Sequence, residues 1–460
     1  MTTLWSGRFD SAPDAAAFEF GASFRFDRRL FEDDVTGSLA WGRALAGAGV
    51  LSADEAGQIE EALTALLERG RSDPAFVDGP DEDVHSFVER LLVERLGDTG
   101  RRLHTGRSRN EQVSLDLRLY LRRRIPLLQR LVAGVVDALA AQADAAGDAL
   151  MPSFTHFRPA QPVLVAHFFL SHAAPLRRDF ERLDGARRES DALPLGSGAI
   201  AGTAYPIDVD ALARDLGFSR VVENSMDASS DRDFAATFLY ACAMTMVHLS
   251  RLAEDLVILC GDAHHFFELS DALSTGSSMM PQKKNPDPLE LVRGKSGRAL
   301  GHLVGLLTTI KGLPTGYNKD LQEDKEAVFG AEETVSGCLA VVRSVVNGLT
   351  LDRPRAAVAA SGMLLATDVA DYLVGRGVPF RRAHEIVGAI VRKLIADRRE
   401  FESLSLEEWR AASEHFEADV AARVTPGASV TAKRTPQSTA PSAVAARLTE
   451  VRLWLARAGR

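Results

Sequence analysis

Apolar residues recur every three or four positions through most of this 460-residue chain. Leu117, Leu121, Ile125, Leu128, Val132, Val135 and Leu139 form one continuous stripe, the repeat of an amphipathic helix. Pro126 falls inside it and is expected to kink it or force a local adjustment. Similar periods predict helices over 54–67, 84–92, 163–190, 234–262, 300–310 and 325–347, with Gly70, Gly312 and Pro314 as stops. The stretches 1–20, 97–106, 152–162, 193–207 and 425–441 read as irregular or as loop. With few alternating strand patterns, the expectation is an all-α fold built on a long central helix bundle. Three helical domains are expected, at 1–104, 105–352 and 353–460. Stripes this long bury poorly in a monomer, so helices are expected to pack between subunits as well.

Composition narrows the class. The chain is 46% hydrophobic and 25% charged, the balance of a globular protein rather than a disordered one. A formal net charge of -9 argues against general binding to nucleic acid or an anionic membrane. Any anion site must then be a local cluster of positive groups. Cys242, Cys260 and Cys338 all sit in apolar helical patterns and read as core thiols of a reducing compartment. The N-terminus has no apolar signal region, and no uninterrupted apolar run reaches membrane-spanning length. A soluble, cytoplasmic protein is expected.

Four polar clusters interrupt the helices: 81–85, 103–112, 153–162 and 274–287. The last has paired serines, paired lysines, an amide and two prolines, with no acid before Asp287. Such donors suit a carboxylate or a carbanion-like transition state. The second cluster sets Arg107, Arg109 and Asn110 just before a helix, where a guanidinium fork and the helix dipole both favour an anion. The third offers Thr155 and His156 in a proline-flanked turn, a setting for a general acid or base. Taken singly, each has a bland reading: a solvated linker, a helix cap, a structural histidine. His264 and His265 receive no role. No metal-ligand spacing, nucleotide-binding glycine motif or nucleophile elbow is found, so the chemistry is expected to need neither cofactor nor metal. Gly196–Gly202 reads as a turn near the site.

Together these clusters resemble the aspartase/fumarase superfamily and, within it, the argininosuccinate lyase family. The superfamily motif corresponds to Gly276–Pro286. Motifs pointing to that particular family are Leu4–Phe9, Asp81–His85, Leu103–Asn110, Thr155–His156, Ser229–Phe234, Leu313–Lys325 and Ala366–His384. The resemblance runs in register over nearly the whole chain. It implies the three-domain fumarase/aspartase-like fold and reversible, cofactor-free cleavage of argininosuccinate to fumarate and arginine. It also implies a homotetramer in which each active site draws on three subunits.

By the same matching, Ser277 and His156 are the catalytic pair, with the base left open between them. Lys283 and Asn285 stabilise the charge that develops on the substrate, and Glu290 orients His156. Ser23, Arg109, Asn110 and Thr155 hold the substrate, and Tyr317, Gln322 and Lys325 read its arginine portion or the neighbouring carboxylate. Asp83 and His85 stand behind these. Adenylosuccinate lyase, fumarase and aspartase share the central loop, and lens crystallins related to this family are partly inactive. The chain departs from the common pattern at Glu111 (usually Asp), at Phe157–Pro159, and at Gln437–Pro441 (usually Gly-Gly-Thr-Ala-Pro).

Overall fold

A computed structural model describes residues 14–459. The motif Leu4–Phe9, like everything before residue 14, lies outside the described residues. The fold is all-α, with three small two-stranded sheets among the described residues. Its longest helices are Arg109–Ala146, Val165–Glu189, Asp233–Cys260, Asp287–Ile310 and Glu323–Asn347. The stripe from Leu117 to Leu139 lies on the first of these, and all seven of its residues are fully buried. That helix continues through Pro126. Among the described helices it alone has an apolar window of membrane-spanning length, and half of that window is buried within the chain, as in a core helix.

Two compact units emerge. One comprises the described residues up to Leu128 with Glu181–Met244 and Gly297–Val335; the other comprises Gln129–Phe180, Thr245–Ser296 and Ser336 onward. In the first unit, Phe24, Phe31 and Phe76 gather around Phe87 with ring centroids 5.1 to 6.1 Å apart. This aromatic knot ties the short helix Phe24–Asp27 to the helix Val84–Leu96, and so fixes Ser23, Asp83 and His85. The helix Ala53–Ser72 opens with a reciprocal Ser52–Glu55 capping box. Gly70 does not stop it. A Cβ there would sit 2.3 Å from the Phe31 ring, so the glycine admits that ring instead.

The second unit contains the chain's main hairpin, Leu150–Thr155 paired antiparallel with Arg158–Leu164. The hairpin replaces the loop expected over 152–162. Its Leu164 amide donates to the Thr439 hydroxyl at 2.8 Å. A separate C-terminal core forms around Trp409, Phe401 and Phe416. Three further stretches expected to be irregular are partly helical: Ala15–Gly21, 98–104, and Pro426–Ala432 with Thr425 as its cap and proline in the first turn.

Candidate active site

In the first unit a cavity of about 320 Å³ is lined by Ser23, Arg109, Tyr317, Gln322 and Lys325. Five of the seven residues expected to hold substrate therefore meet in one place. Ser23 precedes a helix, and its hydroxyl donates to Asp27 at 2.5 Å. Lys325 stands in the first turn of Glu323–Asn347, almost fully buried, and its Nζ donates to Asp324 at 3.0 Å. Burial alone would raise the Asp324 carboxyl, but Lys325 and buried Arg232 hold it below the usual range. The three charges form one buried chain that fixes the ammonium. Burial pushes the Tyr317 phenol up to about 12, so it stays neutral.

Arg109 is more constrained than a free guanidinium fork. Its Nη1 donates to both Asp83 oxygens at 2.7 Å and to Ser86 Oγ at 3.1 Å, and its Nη2 lies 3.6 Å from Glu89. Burial would raise the Asp83 carboxyl, yet Arg109, His85 and the Ser86 amide hold it well below the ordinary range. His104 is pushed down to about 4 by burial and by Arg107 and Arg109, so it is neutral at physiological pH. The cavity thus offers a hydroxyl, a phenol, an amide, fixed cations and carboxylates. That mixture suits a ligand carrying both charges. Glu82 and His104, from the clusters 81–85 and 103–112, line it as well, with Asp27 and Glu89, which were not singled out from sequence. Asp27 did carry a signal, since it lies one helical turn beyond Ser23.

Asn110 and Glu111 begin the helix Arg109–Ala146 and reach the glycine-rich turn. Asn110 Nδ2 donates to the Ala199 carbonyl at 3.2 Å. Glu111 is fully buried and accepts the Gly198 amide at 2.9 Å. Burial pushes its carboxyl up to about 7, against the backbone amides that favour the charged form.

Thr155 and His156 sit at the tip of the hairpin in the second unit. His156 and Phe157 have φ of 53° and 56°, the left-handed values of a two-residue type I′ turn. Asn-Gly favours such a turn; the bulky Phe157 at its second position does not. Both residues are exposed. His156 borders a cavity of about 560 Å³ together with Phe154, His167 and Phe168.

The loop carrying the superfamily motif is also in the second unit. It is closed by a short ladder between Thr275–Gly276 and Lys284–Asn285, and the Thr275 hydroxyl donates to Asp287. Ser277 Oγ accepts the backbone amides of Met279 and Met280 at 3.3 and 3.1 Å. The adjacent lysines divide their work. Lys284 pairs with Glu268 at 3.0 Å and Asp271 at 2.9 Å and anchors the loop. Lys283 is exposed, and its ammonium has no ion pair among the described residues. Glu290 is exposed in the first turn of Asp287–Ile310, 3.8 Å from Arg293. No hydrogen bond within the chain joins it, or Ser277, to His156 among the described residues.

Among the described residues one group has donors for a cation: Asp34, His85 and Asp116, all buried, with ligand atoms within 4.8 Å of one another. His85 Nδ1 lies 2.8 Å from Asp34 and 3.3 Å from Asp116. Burial and the neighbouring Asp34 and Asp33 raise the Asp116 carboxyl far above its usual range. Arg107 adds a buried positive charge that acts on both carboxylates. The group fits a shared proton between carboxyls better than a metal ion.

A helical fold with a serine–lysine–asparagine loop defines a lyase of the fumarase/aspartase class. Residues 7–301 match the lyase family, and residues 363–431 match the argininosuccinate lyase C-terminal family. Over 458 residues the chain is 46% identical to the argininosuccinate lyase of Desulforudis audaxviator, covering 99% of this chain and all of that one. It is 47% identical to that of a Roseiflexus species over 455 residues, covering 98% and 99%. Among solved structures, a variant EDDS lyase with bound fumarate superposes with a TM-score of 0.82 at 25% identity, covering 98% of this chain and 93% of that one. The 3-carboxy-cis,cis-muconate lactonizing enzyme of Pseudomonas putida shares the fold, with a TM-score of 0.76 at 20% identity and coverage of 95% and 97%. The chain belongs to the argininosuccinate lyase family.

Proposed function

We propose that this chain cleaves argininosuccinate to fumarate and L-arginine by a cofactor-free anti-elimination, as a cytoplasmic homotetramer whose active sites are shared between subunits. The observation that carries the mechanism is the setting of Ser277. Its Oγ accepts two backbone amides, and amide donors aimed at an oxygen favour its charged form. That supports Ser277, rather than His156, as the base that takes the proton beside the substrate carboxylate. The resulting carbanion places a second charge on that carboxylate. Lys283, whose ammonium has no ion pair among the described residues, and Asn285, on the same ladder, stabilise it. The C–N bond then breaks, His156 supplies a proton to the departing nitrogen, and the arginine product leaves as its guanidinium.

Ser23, Arg109, Asn110, Thr155, Tyr317, Gln322 and Lys325 hold the substrate, and Glu290 orients His156. The cavity in the first unit takes the arginine portion. Arg109 must loosen from Asp83 to grip a carboxylate. Site sharing is supported by the exposed His156 tip and by Glu290, which has no histidine partner among the described residues. The three cysteines are free, which suits the reducing cytoplasm.

The test is purified protein supplied with argininosuccinate or adenylosuccinate while fumarate is followed. Release from argininosuccinate alone is expected; release from adenylosuccinate alone overturns the assignment. For sharing, inactive Ser277→Ala and His156→Asn chains are mixed and reassembled. Regained activity supports shared sites, and none in verified mixed tetramers refutes them.

A further inference from the structure

We infer that Glu111 is a positioning residue, fixing the Asn110 amide through the turn Gly196–Gly202; the role rests on the reading of Asn110 as a substrate ligand. Glu111 is fully buried. One carboxylate oxygen accepts the Ser108 amide at 3.0 Å, and the other accepts the Gly198 amide at 2.9 Å. The Gly196 amide also favours its charged form. A carboxylate that accepts backbone amides from both the helix start and a glycine-rich turn ties the two together, as an anion held by oriented backbone donors. The next carbonyl after Gly198, that of Ala199, accepts Asn110 Nδ2 at 3.2 Å. A carbonyl only accepts, so this contact decides which end of the Asn110 amide faces the turn and which faces away from it.

The turn has little freedom to move alone. Gly198 has φ of +58°, and a Cβ there would lie 2.5 Å from the Gly202 carbonyl. At Gly196, φ is +102° and a Cβ would lie 2.7 Å from the Val209 side chain. The Gly202 amide closes the turn onto the Ser197 carbonyl at 2.7 Å. Ser229 and Ser225 hydroxyls donate to the Ala199 and Ile200 carbonyls at 3.0 and 2.8 Å. Asn110 and Glu111 leave the same helix start and close on this one rigid ring. Glu111 draws the ring toward the helix, and the ring turns the Asn110 amide. The common family pattern has the shorter Asp here; the longer Glu111 stem spans the gap in this chain.

The experiment is steady-state kinetics of the assembled enzyme on argininosuccinate, with Glu111→Gln, Glu111→Asp, Asn110→Ala and the Glu111→Gln/Asn110→Ala pair. Glu111→Gln keeps the size but sets an amide donor against backbone donors. It is expected to raise KM roughly tenfold, with kcat changed by less than about twofold, because ligand positioning rather than chemistry is lost. Glu111→Asp keeps the charge and recovers part of the loss. The double variant has a KM no higher than Asn110→Ala alone, since both act on one contact. A native KM in Glu111→Gln, a fall in kcat without a change in KM, or additive losses overturn the inference while a raised KM in Asn110→Ala leaves the site reading intact. A native KM in Asn110→Ala overturns both. If circular dichroism shows Glu111→Gln unfolded, Glu111→Asp and Ser229→Ala carry the test. Ser229→Ala removes one bond to the Ala199 carbonyl and is expected to raise KM less; an unchanged KM in both overturns the role.

Discussion

Replacing Asp83 with Asn keeps the side-chain shape at the start of the helix Val84–Leu96 and removes one charge. In the native chain Asp83 accepts the Ser86 amide at 2.7 Å, and both its oxygens lie 2.7 Å from Arg109 Nη1. The two side chains are 9% and 30% exposed, so water screens the pair only in part. Opposite charges about 4 Å apart attract by about 4 kcal/mol at an effective dielectric of roughly 20. Desolvation of both partners cancels some of this. Glu89, 3.6 Å from Arg109, gives the guanidinium a fallback, and Asn caps a helix about as well as Asp. The expected loss of stability is therefore about 2 kcal/mol. Urea unfolding followed by Trp41 fluorescence measures it. That indole is fully buried in the same unit and donates to the Thr105 carbonyl at 3.3 Å. Because the neighbours lower the Asp83 pKa, its contribution is complete above the unfolded carboxylate value of about 4 and is lost as pH falls through the folded one. The gap between native and variant should be full near about pH 7 and shrink below about pH 4. Equal unfolding midpoints near neutrality, or a gap that persists undiminished in acid, would refute the reasoning.

Ser277→Ala is expected to lower kcat by roughly a thousandfold while leaving the unfolding midpoint unchanged; near-normal turnover would remove the serine from the chemistry. The adjacent lysines should separate. Lys283→Met is expected to cut kcat with the loop intact, whereas Lys284→Met, which loses the contacts to Glu268 and Asp271, should make the loop more sensitive to limited proteolysis. Identical behaviour of the two variants would contradict the division of roles. Gly198→Ala forces a methyl to within 2.5 Å of a carbonyl at a left-handed φ and is expected to lower stability by about 1–3 kcal/mol; a native melting temperature would count against the rigid turn.

The long helices were legible because their stripes are deeply buried. Leu117 through Leu139 read as one face, and every one of those side chains is sealed in the core. The hairpin was not legible. Pro152, Pro159 and Pro162 look like interruptions, and His-Phe at its tip hides a turn that Asn-Gly would have announced. Ala15–Gly21 is a short helix with none of its residues buried, so it has no apolar period to read. Of the site, the cavity residues of the first unit converge because tertiary packing joins Ser23, Arg109 and Lys325 across hundreds of positions. The motifs named these side chains, but spacing could not show Asp83 occupying Arg109, or Asp324 steering Lys325. The difference between Lys283 and Lys284 was equally hidden, because it depends on which ammonium meets Glu268.

The His156–Phe157 turn has a consequence for anyone engineering this chain. Each non-glycine residue held at left-handed φ costs about 1 kcal/mol or more, and neither side chain gains burial within its own chain in return. A selection for heat resistance would therefore favour glycine at position 157, where the backbone would relax. The same change would free the histidine beside it to wander. With His156 in its proposed role, thermal tolerance and turnover pull in opposite directions at this one peptide, and a library scored on melting alone would drift toward a sturdier, slower protein.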